Sequence, residues 1–149
     1  MKRIIYVDPE GNLCVVVPAP SWNGTIKELA EKDVPQGLAY KIVNENEIPS
    51  DRTFRGAWVM DGSTVSHDMK KAREIKRNMM REERKSKFIA LDNEINKELV
   101  TAITTGDNTL ILELERKRKI LRDAPAMPEI DNAENIKQLS AIRLPFSEG

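Results

Sequence analysis

From Asp68 to about Thr104 the chain contains neither Gly nor Pro. An uninterrupted stretch of that length, free of both helix breakers, predicts one long α-helix. Everything before it reads differently. Residues 1–65 are short apolar stretches punctuated by Gly and Pro, the pattern of strands and turns. The chain therefore divides near residue 66 into a small β-rich head, 1–66, and a helical region, 67–149. The predicted class is α+β: a small antiparallel β-rich N-terminal head, then a long helix, an αα-hairpin and an extended C-terminal tail.

Within the head, residues 3–7 read as a strand and Asp8-Pro9-Glu10-Gly11-Asn12 as a tight turn. Leu13–Val17 follows as a second strand, so the two form an antiparallel hairpin. A lone hairpin is marginal in water and needs a cover. Thr25 and Glu28 have capping-box spacing, which starts a helix over 26–32 with Ile26, Leu29 and Ala30 facing inward. Ala39–Val43 and Ala57–Met60 read as two further strands, and Asp61-Gly62 as a turn.

The long helix, about 68–104, takes Asp68 or Ser66 as its N-cap. Met69, Ala72, Ile75 and Met79 begin an apolar seam that resumes at Phe88, Leu91, Ile95, Leu99 and Ala102. Between 80 and 87 the seam is poor, which argues against a continuous heptad along it. Gly106-Asp107 ends the helix and starts a return helix, about 108–122, with Leu110, Leu114 and Leu121 on one stripe. At ~1.5 Å per residue the return helix covers only the 88–104 half. The other half, 70–87, is left to lie against the head, another subunit or water. An external contact is expected there. Asp131 and Glu134 repeat the capping-box spacing ahead of a short helix, about 132–141, and Leu144 and Phe146 lie on the tail beyond.

The 24 basic and 24 acidic side chains balance, but residues 70–87 hold 9 basic against 3 acidic. Those cations wrap around the helix, with Glu74, Glu82 and Glu83 among them, and no aromatic platform accompanies them. That arrangement suits weak phosphate contact or ordinary solvation better than specific nucleic-acid reading. His67 is the sole histidine and Cys14 the sole cysteine, so a histidine-rich metal site and an intrachain disulfide are both excluded. No glycine cluster makes a phosphate-binding loop. No catalytic residue, cofactor or metal is expected. No apolar run approaches the roughly 18 residues of a membrane span. Asp8-Pro9-Glu10 stops the first apolar run too early for a signal peptide, so synthesis in the cytoplasm is expected.

Interaction is the remaining reading. Trp22, Phe54 and Trp58 are large groups near turns or strand ends, read either as closing the head's core or as anchoring a contact. Arg77, Arg81 and Arg84 stand in the seam-poor half. With Leu144 and Phe146 they complete the set of expected protein-contact residues.

Specific stretches carry a resemblance. Arg52-Thr53-Phe54-Arg55-Gly56-Ala57-Trp58 is followed by Asp68-Met69-x-Lys71-Ala72-Arg73-Glu74-Ile75. An Arg-rich helix then reaches Leu91-Asp92, and the second helix ends in Leu121-Arg122-Asp123-Ala124-Pro125. Over the C-terminal two thirds this order resembles small proteins of phage and prophage tail modules, including tail-fibre assembly and related tail proteins. The resemblance implies a non-enzymatic virion structural protein at a tail or fibre attachment point, oligomeric or present in several copies, docking to other tail proteins. Two alternatives remain: an assembly chaperone not retained in the virion, and a nucleic-acid-associated packaging or regulatory protein.

Overall fold

The computed structural model describes residues 1–147, in two compact units, residues 1–72 and those from 73 onward. It is α+β, with an antiparallel β-rich N-terminal part followed by long helices.

In the first unit, β1 (Lys2–Val7) is the central strand of a three-stranded sheet. It pairs antiparallel with β2 (Leu13–Val16) on one side and with β3 (Tyr40–Asn44) on the other. The tight β1–β2 turn is held by Asp8, whose carboxylate accepts from the Asn12 amide at 2.8 Å. Gly11 supplies the turn's positive φ of 86°. Successive strand residues point to opposite faces, yet Ile4 and Ile5 are both fully buried. The sheet is therefore covered on both sides. On the Ile4 side lies α1 (Ile26–Asp33), which packs Leu29, Ala30 and Val34 with Tyr6, Val16 and Trp22. Its capping box is complete, since Thr25 Oγ1 accepts from the Glu28 amide and Glu28 accepts from the Thr25 amide. β4 (Trp58–Asp61) approaches β1 and β2 and forms its own hairpin with β5 (Thr64–His67) around Gly62, whose φ is 61°.

β5 is an addition to the sequence reading, which ran directly from the Asp61-Gly62 turn towards the long helix. Thr64–His67 contains one aliphatic residue, so no alternating pattern marks it. The pairing with β4 supplies the strand.

The helix α2 spans Met69–Thr105, 37 residues and about 55 Å. Asp68 caps it, accepting from the amides of Lys70 and Lys71. Gly106, at φ 75°, closes its end by donating to Ala102. The return helix α3 (Thr109–Asp123) starts where Asp107 accepts from the Thr109 amide and hydroxyl. Arg118 meets Asp92 at 3.3 Å, and Arg84 reaches the end of α3, so the two helices run antiparallel.

Beyond α3 the structure departs from the expected single short helix at 132–141. A 3-10 turn (Ala124–Ala126) leads to α4 (Pro128–Asn132) and α5 (Ile136–Ala141). The break falls at the Asp131–Glu134 pair read as a capping box. Asp131 instead accepts from Arg77, and the N-cap is Asn135, which accepts from the Gln138 amide.

The principal correction concerns 70–87, expected to lack a partner within the chain. From residue 73 onward, this half is covered by the C-terminal segment. Ile130, Ala133, Leu139 and Leu144 are buried, as are Met80 and the largely apolar stem of Lys76. Arg73 donates to the Ala133 carbonyl at 2.9 Å and Arg77 to that of Pro125 at 3.2 Å. Lys87 donates to the Phe146 carbonyl at 3.0 Å. The apolar seam is poor because guanidinium and ammonium donors, which satisfy backbone carbonyls, replace aliphatic side chains there.

Candidate interaction surfaces

The residues expected to make external contacts separate into three groups. Phe54, Trp58 and Leu144 are buried in their own units. Arg52 stacks over the Trp58 ring at 5.8 Å, while the Trp58 indole N–H is buried without a partner. Trp22 is half-buried beside α1, donates to the Thr25 carbonyl at 3.1 Å, and has Lys32 over its ring.

Arg77 and Arg84 form the second group, and their donors are used internally. Arg77 joins Pro125 and Asp131 to α2, with Glu74 at 3.6 Å. Arg84 Nη1 donates to the carbonyls of Leu121 and Arg122, at 3.3 and 2.6 Å. Those belong to the last turn of α3, where carbonyls lack helical partners and the helix dipole favours a cation. The same guanidinium lies 5.5 Å from the centre of the Phe88 ring. Each contact ties distant parts of the sequence together.

Arg81 and Phe146 make the third group. Arg81 is more exposed and pairs with Glu74 at 3.0 Å, a surface ion pair of small energetic weight. Phe146 is 45% exposed with a positive φ of 62°, and Lys117 sits over its ring.

The sequence reading expected the 88–104 half to be the covered one, and its inner seam is only half-buried at Phe88, Leu91, Ile95 and Ala102. A single helix covers a single side. On the remaining surface stand Ile89 at 63% exposure, Val100 at 68%, Ile103 at 76% and, from α3, Leu112 at 60%. Leu99 and Leu110 are also exposed. The outer face of α2 between Ile89 and Ile103 is the most prominent candidate contact surface of the second unit, while Leu112 stands on the face of α3 turned away from buried Leu114. Exposed large aliphatic groups gathered on one helix face mark contact sites. It was missed because the exposed positions interleave with Asn, Lys and Thr, which conceals them in a search for one apolar stripe.

The hollows of the surface hold little chemistry. One of about 880 Å³ on the first unit is lined by Met1, residues 44–50 and Val65. Its two carboxylates are already engaged, Glu45 by Arg3 and Glu47 by the Asn44 amide. Another of about 600 Å³ lies among Arg84, Phe88, Glu115, Arg118, Lys119 and Arg122. There Arg84 is bound to carbonyls, while Arg118 is bound to Asp92 and Glu115. His67 is shifted to lower pKa by burial, opposed by the Asp51 carboxylate. Burial also lowers the pKa of Lys76, against the attraction of Glu83. Among the described residues no group of three or more His, Cys, Asp or Glu is arranged to hold a metal ion. No described helix is long and apolar enough to cross a membrane.

Compared with family models, with curated proteins and with solved structures, the chain matches none.

Proposed function

We propose that the chain is a non-enzymatic docking component of a phage virion, placed at a tail or fibre attachment point and present in several copies. The observation that supports docking is the row of exposed aliphatic side chains Ile89, Val100 and Ile103 on the outer face of α2. Leaving these groups in water forgoes about 1.5–3 kcal/mol for each that a partner could fully cover. The tail context comes from the resemblance carried by the 52–58, 68–75 and 121–125 stretches. On this reading Arg77 and Arg84 are clamps that hold the second unit together, and the outer aliphatic face of α2 meets the partner.

The test is the composition of purified particles made from the genome that encodes this chain. The reading expects the protein at a fixed ratio to tail proteins. Its presence in infected cells but absence from finished particles would replace this reading with an assembly chaperone.

A further inference from the structure

The outer surface of α2 carries a row that the inner seam does not include. Ile89, Asn93, Asn96, Val100 and Ile103 are all exposed and follow one another at spacings of four, three, four and three. That is the heptad spacing of a coiled-coil seam, sustained for two heptads. At about 100° per residue the row is centred about 135° around the helix from Phe88, Leu91, Ile95 and Ala102. It is therefore a second seam, separate from the one that faces α3.

The character of the row selects its occupant. Asn93 and Asn96 stand at seam positions, where an apolar partner would leave each amide without hydrogen bonds. An identical row in parallel and in register places Asn on Asn, Ile on Ile and Val on Val, and an amide can both donate to and accept from its copy. An antiparallel pair, in which a layers meet d layers, would set Asn93 against the partner's Asn96 and keep the amide match, but it brings g against g and e against e, so the charged flanks decide the direction. The flanks agree with the parallel arrangement. With Asn93 and Val100 as a positions, Asp92 falls at g and Lys97 at the following e position, so each Asp92 faces the partner's Lys97 across the seam. The Asp92 side chain is 46% exposed beside Arg118, which leaves it open to a second cation. Asn93 is a polar residue at an a position, a known means of fixing register and strand number, and Asn96 falls at d.

We infer that two copies of this chain pair in parallel and in register along Ile89, Asn93, Asn96, Val100 and Ile103 of α2, as a short two-stranded coiled coil. The inference rests on the docking reading and names the first partner as the chain itself. Two heptads with two polar layers make a concentration-dependent pair, in keeping with a chain that closes into a stable assembly only when further contacts add to it.

The test uses the full chain. Sedimentation velocity over roughly 1–500 μM should show the mass rising from 16.9 kDa towards twice that value. Ile103→Lys should weaken pairing at least about 100-fold, because each copy loses a buried aliphatic group. Its far-UV circular dichroism should match the wild type, since Ile103 is 76% exposed. In a Cys14→Ser background, Asn93→Cys should give a disulfide-linked dimer on mild oxidation. Cross-linking only in a mixture of Asn93→Cys and Asn96→Cys chains would overturn the parallel register. A wild-type mass of 16.9 kDa at every concentration would overturn self-pairing. If such a monomer still entered particles through this surface, with Ile103→Lys excluded from them, a different helix would be the occupant and the docking reading would stand. A dimer absent from particles would leave the pairing intact and remove the virion role.

Discussion

Replacing Arg84 by Ala measures how far the basic half of α2 is an internal clamp. Its Nη1 donates to two carbonyls of the last α3 turn, at 2.6 and 3.3 Å, and the guanidinium packs over Phe88. A hydrogen bond from a charged donor contributes about 1.5–3 kcal/mol, and an exposed cation–π contact about 0.5–1 kcal/mol. Arg84 is only half-buried, so water can recover part of the loss. The expected destabilisation is about 2 kcal/mol, a fall of roughly 10 °C in melting temperature for a unit of this size. Urea unfolding followed by circular dichroism at 222 nm reads it, because that signal comes mainly from α2 and α3. Two units can unfold separately, so the comparison is made on the transition that carries most helical signal. Arg81→Ala is the control. Its surface pair with Glu74 predicts a change below about 0.5 kcal/mol. Equal effects at 81 and 84, or none at 84, would refute the clamp.

Three further outcomes follow from the packing and the caps. Met80→Ala should cost about 2–5 kcal/mol in the same unfolding assay, since Met80 is buried beneath the C-terminal segment. Gly24→Ala should destabilise the first unit by about 1–3 kcal/mol and shift tryptophan fluorescence, because an added Cβ would stand 2.6 Å from the Trp22 ring. Acid should loosen the caps. The amides of Asn12, Thr25 and Thr109 hold the carboxyls of Asp8, Glu28 and Asp107 below their ordinary values, with the Thr109 hydroxyl acting most strongly on Asp107. A lowered folded-state pKa gives stability that is fully present above the unfolded value, 3.8 for Asp and 4.5 for Glu. It is lost as pH falls through the lowered value. Melting temperature should therefore drop with pH in that acid range, and Glu28→Gln should flatten part of the drop.

What was legible in the sequence was local. The Thr25–Glu28 box, the Asp8–Asn12 turn, the Asp68 cap and the Gly106 stop each act over four residues or fewer, and each operates in the structure. The Gly- and Pro-free stretch became α2 almost to the residue. The cover of the basic half was not legible. Ala124, Ile130, Ala133, Leu139 and Leu144 are buried, but they are distributed over short turns that show no period. The donors that meet them, Arg73, Arg77 and Arg84, end on backbone carbonyls, which have no signature in a residue string. The outer row of α2 was concealed for a related reason. Two of its five positions are Asn, so it counts as polar until the four-three spacing and the exposure are considered together.

The central claim is that contact is made by the outer aliphatic face of α2, with the arginines of the basic half serving the fold. The direct measurement is the amount of protein in purified particles when Ile89→Lys and Ile103→Lys are combined, beside an Arg81→Ala chain. The account predicts that the double variant folds and accumulates in cells but is missing from particles, while Arg81→Ala is incorporated at the wild-type ratio. Normal incorporation of the double variant, or loss with Arg81→Ala, would contradict it.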